Sequence, residues 1–304
     1  MIILSTISGI AKAICVRAMY VIWRGLGVFL GTLTIETKQG LFCIRLNGVD
    51  HISEVLFVRR EFELDWIQSS LAFLRSIGKH PAKGQGVVLD VGANIGVISI
   101  GMLTTGELDR AVAIEPDTDN FALLTRNIEL NRLDARIAAL NFAAADVTSE
   151  LEFELSEGNF GDNRVRTTRS DTDNRARELF SESTRRTITV PGARIDELGT
   201  RIDKETWNNI SLVWIDVQGY EGYAFRGAAE ILSRDVPVVM EFWPYGILRT
   251  GMTKDEFCGI ASTFWGRYWR MEGESFVEFS TNALWALFDA IGDGGQFENI
   301  ILAK

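Results

Sequence analysis

Asp90, Glu115, Asp146, Asp216 and Glu241 share one context: each falls at or just past the end of a short apolar run. In an open α/β sheet such run ends face one crevice, and ligands bind there. A carboxylate in that crevice accepts hydrogen bonds from hydroxyls or takes a proton from a nucleophile. Asp90 is followed by a glycine turn, Gly92-Ala93-Asn94-Ile95-Gly96, and then by Val97–Leu103, which reads as a helix. Gly92 and Gly96 carry no Cβ, so backbone in this turn can come close to a ligand. The middle glycine of the dinucleotide fingerprint is missing, and Asn94 stands in its place. A pyrophosphate needs that closest approach, which disfavours NAD. A ligand with a carboxylate and a nucleoside but no phosphate fits better. S-adenosylmethionine (SAM) is such a ligand.

This frame gives each acid a task. Asp90 with Gly92, Asn94 and Gly96 would hold the methionine portion. Glu115, followed by Pro116, lies roughly 20 residues beyond the turn, where an acid binds ribose hydroxyls. Asp146 either bonds the adenine amine or caps a helix before Thr148. Methyl transfer is an in-line displacement, so much of its catalysis is placement of the acceptor atom. A hydroxyl acceptor must also lose a proton. His51 and His80 are the only histidines, so a carboxylate is the expected base. Asp216 is the first candidate, Glu241 the second and Glu221 the third. Glu221 has a second reading as dipole complement in the first turn of a helix. Asp216 has one as the group that orients the Gln218-Gly219 turn. These acids could hold a divalent cation, but no spacing demands it and no metal is expected. Gln218, Trp243, Tyr245, Asn163 and Arg164 are assigned to the acceptor; Trp214 reads as core.

The elements that must position these groups alternate. Strands at 87–91, 111–115 and 138–143 are separated by helices at 97–104 and 120–130. Ser211–Asp216, Glu221–Leu232 and Val236–Glu241 continue the rhythm as strand, helix and strand. That alternation predicts a doubly wound, mostly parallel α/β sheet. Phe276–Phe279 and Asn299–Ala303 read as closing strands with an antiparallel edge pairing and no convincing helix between them. Upstream, 41–48 and 54–60 read as two strands of a small sheet, and Glu61–Ile77 as a helix. The domain expectation is a helical segment over 1–34, a β/α extension over 35–80 and the catalytic domain over 81–304. A polar insertion over 156–190 carries Arg164, Arg166, Arg169, Arg175, Arg177, Arg185 and Arg186. Read as a lid, it implies an anionic acceptor; read blandly, it is a solvated loop.

The net charge of −10 argues against nucleic acid as a partner. Cys15, Cys43 and Cys258 lack metal-ligand spacing, which fits reduced thiols and a cytoplasmic location. Residues 1–33 are apolar but interrupted by Lys12, Arg17 and Arg24, so no run approaches the ~20 residues of a spanning helix. One expectation is a basic amphipathic helix at a membrane surface, with Ile10, Ile14, Val21 and Trp23 among its apolar residues. On that view residues 1–33 are dispensable for the fold. The other is a helix packed on its own domain or on a second subunit, as in a homo-oligomer.

Asp90-Val-Gly-Ala-Asn-Ile-Gly96, Ile114-Glu115-Pro116, Asn127-Ile-Glu-Leu-Asn131 and Ile215-Asp216-Val217-Gln218-Gly219-Tyr220-Glu221 together resemble the FkbM-type SAM-dependent methyltransferases. So do Arg194-Ile195-Asp196-Glu197-Leu198, Val239-Met240-Glu241 and Asn299-Ile-Ile-Leu302, and the likeness spans roughly 54–304. The resemblance implies a seven-stranded Rossmann-like methyltransferase sheet and SAM as cofactor. It also implies O-methylation of a hydroxyl on a sugar, glycan or secondary metabolite. The family usually carries Glu or Lys where this chain has Gln218, so an acid-base role at that position is in doubt. A NAD-dependent oxidoreductase and a non-catalytic SAM-binding scaffold are the alternatives.

Overall fold

The computed structural model describes residues 17–46, 50–167 and 178–304. A helix over 17–27 leads into a hairpin of β1 (Thr32–Thr37) and β2 (Gly40–Arg45). The expected strand at 54–60 is instead part of a helix, His51–Arg59. Ser53, Leu56 and Phe57 fall at helical spacing and are all buried, so the 3.6-residue period wins over local β-propensity. A second helix, Leu64–Ser76, buries Ile67, Leu71 and Leu74 on one stripe. Trp23 is fully buried, with its ring 5.3 Å from that of Phe57. The first segment is therefore pinned to the domain, and a boundary at residue 34 cuts β1.

The core follows from fully buried strands. β3 (Val87–Val91), β4 (Arg110–Ile114) and β5 (Ile137–Leu140) pair in parallel. Their residues alternate between two cores: Val87, Leu89 and Val91 enter one and Val88 the other. A strand covered on both faces needs a continuous apolar run, which is why Val-Val-Leu precedes Asp90. After β5 the chain leaves the main sheet. β6 (Ala143–Ala145), β7 (Ser149–Leu155), β8 (Arg164–Val165) and β9 (Arg186–Arg194) form a small sheet in the order β6-β9-β7-β8.

The described parts of the insertion, 156–167 and 178–190, are tied together by ion pairs. Arg164 and Arg185 are buried, and they bind Glu154, Asp162 and Glu182. The polar composition that reads as a loop is a set of acids and bases satisfying one another. Arg169, Arg175 and Arg177 lie outside the described residues.

β10 (Ile210–Ile215) and β11 (Val238–Phe242) return to the main sheet in parallel with β3. β12 (Arg267–Glu272) and β13 (Ser275–Ser280) form a hairpin, and β14 (Glu298–Ala303) inserts antiparallel between β11 and β12. The order is β13-β12-β14-β11-β10-β3-β4-β5. This is the expected doubly wound α/β sheet, with helices on both faces. It has eight strands rather than seven, because β13 adds a hairpin edge. The 299–303 strand is interior, not an edge. A helix at Leu284–Ile291, not expected, buries Leu284, Leu287 and Phe288 at helical spacing.

Candidate active site

A cavity of about 820 Å³ opens at the carboxyl ends of β3, β4, β10 and β11. Asp90, Gly92, Asn94, Glu115, Pro116, Asn163, Asp216, Gln218, Glu241 and Trp243 line it. Its size suits a nucleoside-bearing ligand together with an acceptor. Gly96, Asp146, Arg164, Glu221 and Tyr245 are not among its lining residues.

The glycine turn is built from left-handed backbone: φ is +88° at Gly92, +50° at Asn94 and +91° at Gly96. The Gly92 and Ala93 amides both donate to the Ile114 carbonyl at 2.9 Å, which ties the turn to the end of β4. A Cβ on Gly92 would lie 1.9 Å from the carbonyl oxygen of Asp216. The close approach that requires glycine here is therefore to β10. A Gly92→Val variant tests the joint between two strands before it tests any ligand contact. Gly96 is a helix N-cap; a Cβ there would meet Leu124 and Ile100, so it shapes the turn from behind.

Two buried acids line one end of the cavity. Asp90 Oδ2 accepts from the Ser99 amide at 3.1 Å and the Ser99 hydroxyl at 2.5 Å, and burial raises its pKa to about 7. Glu115 Oε2 accepts from the Asn94 amide at 2.8 Å, and Oε1 from the Asp117 amide at 2.9 Å. Burial raises its pKa to about 8. Its carboxylate faces the cavity as a hydrogen-bond acceptor. The start of the insertion closes this end: the Phe160 carbonyl accepts from Asn94 Nδ2 at 3.3 Å and Asn120 Nδ2 at 3.4 Å. Asn163 belongs here too, since its Nδ2 donates to Asp117 Oδ2 at 2.7 Å.

At the other end Gln218 Nε2 donates to Asp216 Oδ1 at 2.7 Å and to Glu241 Oε1 at 3.4 Å. One amide therefore bridges the two expected bases. Burial raises Asp216, and burial plus the Asp216 charge raises Glu241 to about 10. Gln218 sits at φ +54° and Gly219 at +98°. A Cβ on Gly219 would lie 2.3 Å from the Gly246 carbonyl carbon, so this turn is pressed against the helix Pro244–Arg249. Glu221 is not in the cavity. Its Oε1 accepts from the Val217 and Gly219 amides at 3.1 Å each and so shapes the Gln218 turn. Its assignment as a base is corrected to positioning.

The remaining corrections have the same physical form: a polar group expected to meet ligand is occupied by protein. The Tyr245 hydroxyl donates to Glu182 at 2.5 Å and fastens the insertion. Arg164 is paired with Glu154 and stacked over Trp243, 5.1 Å from its centroid. Asp146 differs from these: it follows β6 in the small sheet and does not line the cavity, and only its main-chain carbonyl, which accepts from Arg194 at 2.8 Å, is engaged. The only arginine among the described lining residues, Arg185, is paired with Asp162. Arg164 and Arg185, each held by acids of the insertion, therefore lend no support to an anionic acceptor.

Glu63, with His51, Ile52 and Phe62, is the part of the site that sequence reasoning missed. It comes from the N-terminal extension and no motif marks it. Burial, then the Asp216 charge, raises its pKa to about 7. An acid raised on folding loses its stabilising contribution as pH rises from its unfolded value through its folded one. Glu63→Gln is accordingly expected to be more stable than wild type at pH 8 and indistinguishable from it at pH 4. Thermal unfolding at the two pH values checks this, and equal offsets at both would refute it.

No group of three or more His, Cys, Asp or Glu among the described residues is placed to hold a metal ion. The model of the methyltransferase FkbM domain matches residues 90–265, more than half of the chain. No curated protein matches the sequence. Among solved structures the chain is similar to methyltransferase FkbM from Methylobacillus flagellatus KT, at 15% identity and a TM-score of 0.43. That match covers 82% of this chain and 54% of the other, so this chain spans about half the length of that relative. Pyrococcus horikoshii TYW2, in complex with MeSAdo, aligns at 13% identity over 90% of this chain and 70% of that one, with a TM-score of 0.42. Precorrin-6y C5,15-methyltransferase from Geobacter metallireducens GS-15 aligns at 11% identity over 78% and 88%, with a TM-score of 0.38. The oxidoreductase alternative is set aside, and the cofactor is SAM. The chain belongs to the FkbM methyltransferase family.

Proposed function

We propose that this methyltransferase transfers a methyl group to a hydroxyl of a neutral, polyhydroxylated acceptor, such as a sugar, glycan or secondary metabolite. The observation that carries the reading is the Asp216–Gln218–Glu241 bridge, which shares one cavity with Glu115 and the glycine turn. Asp90, Asn94 and Glu115 would hold SAM. Bound there, it supplies an electrophilic methyl carbon on a positively charged sulfur.

The rest is done by the chain. Two buried carboxylates this close do not both ionise, so the pair keeps a proton near neutral pH. Glu241, raised to about 10, retains it. Asp216 is left as the base that accepts the hydroxyl proton, and Gln218 fixes both carboxylates in place. Trp243 lines this end, but its ring is covered by Arg164 and Gly246 and is 4% exposed, so it shapes the wall by an edge. Glu63, Asp216 and Glu241 gather acid at this end, which disfavours an anionic acceptor group.

The test is incubation of the protein with methyl-labelled SAM and fractionated cell extract, followed by alkaline treatment of the labelled product. A methyl ether survives the treatment. Label that is released as methanol, or that resides on nitrogen, defeats the proposal.

A further inference from the structure

We infer that the outer face of the 17–27 helix and the turn that follows it binds an anionic membrane surface. The helix has a committed inner face. Trp23 is fully buried against Phe57, and Met19 and Leu26 pack on the same core. The opposite face therefore has no role in the core. On it Arg17, Val21, Arg24 and Val28 recur at helical spacing, and Ile22 and Phe29 lie in the next row. Val21 is 73% exposed, Val28 76% and Phe29 84%. Arg17 and Arg24 are exposed beside them.

The charge of this segment identifies the occupant. The first acidic residue of the chain is Glu36; before it stand Lys12, Arg17 and Arg24 and no acid, in a chain of net charge −10. An apolar strip flanked only by cations matches lipid tails under anionic headgroups. A second copy of this chain fits worse, because a two-fold contact would set the same cations against each other. The sequence ahead of the helix, with Ile2, Ile3, Leu4, Ile7, Ile10 and Ile14, extends the apolar character. No helix among the described residues is long and apolar enough to cross a membrane, so the contact is in the plane of the surface. Trp23, expected among the membrane-facing residues, is instead the anchor. Removal of residues 1–33 would strip a core side chain and part of β1, so point variants are the proper probe.

The experiment uses the full chain and vesicles of phosphatidylcholine alone or mixed with phosphatidylglycerol. Flotation is expected with the mixed vesicles at low salt, with release at high salt and none from phosphatidylcholine alone. Arg17→Gln with Arg24→Gln lowers the partition coefficient about thirtyfold. Val28→Ser with Phe29→Ser abolishes flotation. SAM affinity, measured by calorimetry, stays at the wild-type value in both double variants and certifies the fold. The inference is overturned by absence of flotation, by equal binding to neutral vesicles, or by variants that float like wild type. It is also overturned if light scattering finds a dimer that the same variants dissolve.

Discussion

Asp216→Asn is expected to lower kcat by about 10²–10⁴-fold while SAM affinity stays near the wild-type value. Asparagine keeps the shape, and its Oδ1 can still accept from Gln218 Nε2, which lies 2.7 Å from the carboxylate. Only the proton acceptor is lost. In the wild type, burial holds Asp216 above the ordinary carboxylate range, so kcat should rise with pH as that group ionises. This limb should vanish in Asp216→Asn. Glu241→Gln should instead leave the limb in place, because Glu241 stays protonated there and burial, not its charge, raises Asp216. A fully active Asp216→Asn enzyme with an unaltered limb would place the base elsewhere.

Glu115→Ala should weaken SAM binding by roughly 10²–10⁴-fold, from two lost hydrogen bonds of about 1.5–3 kcal/mol each. The substitution also leaves the Asn94 and Asp117 amides without their acceptor, which loosens the glycine turn itself. The pH dependence separates these effects. Ribose hydroxyls donate to the ionised carboxylate, and Glu115 is raised to about 8 by burial. Its contribution to affinity should therefore strengthen as pH rises through about 8 and fade below it. Calorimetry at several pH values reads both quantities. An unchanged Kd in Glu115→Ala would remove Glu115 from the cofactor site.

Legibility from sequence tracked the range of the interaction. Asp90, Glu115 and Asp216 end apolar runs, and a run buried on both faces is a local signal with a fixed consequence for its last residue. Those acids were readable, and so was the α/β sheet. The residues of the 54–60 stretch carry two periods at once, and packing of Leu56 and Phe57 chose the helix. Glu63 reaches the cavity only because its helix lies across the sheet, a fact of tertiary structure with no local trace. The arginines of the insertion were visible, but their partners were not. Glu154, Asp162 and Glu182 are spread over strand and turn, and composition alone does not pair them.

The cavity has two kinds of boundary. Its floor is strand ends locked through backbone: Gly92 against Asp216, and Gly219 against Gly246. Its sides are His51–Glu63 from the N-terminal extension and Ser156–Asn163 with Ser181–Arg185 from the insertion. The floor cannot change without breaking the joint between strands, whereas the sides come from two separate segments of the chain. A graft of the 50–63 segment from a relative is therefore expected to change which acceptor is methylated at unchanged SAM affinity. A graft of the 156–185 segment should change SAM affinity as well, because Phe160 and Asn163 bond to Asn94 and Asp117.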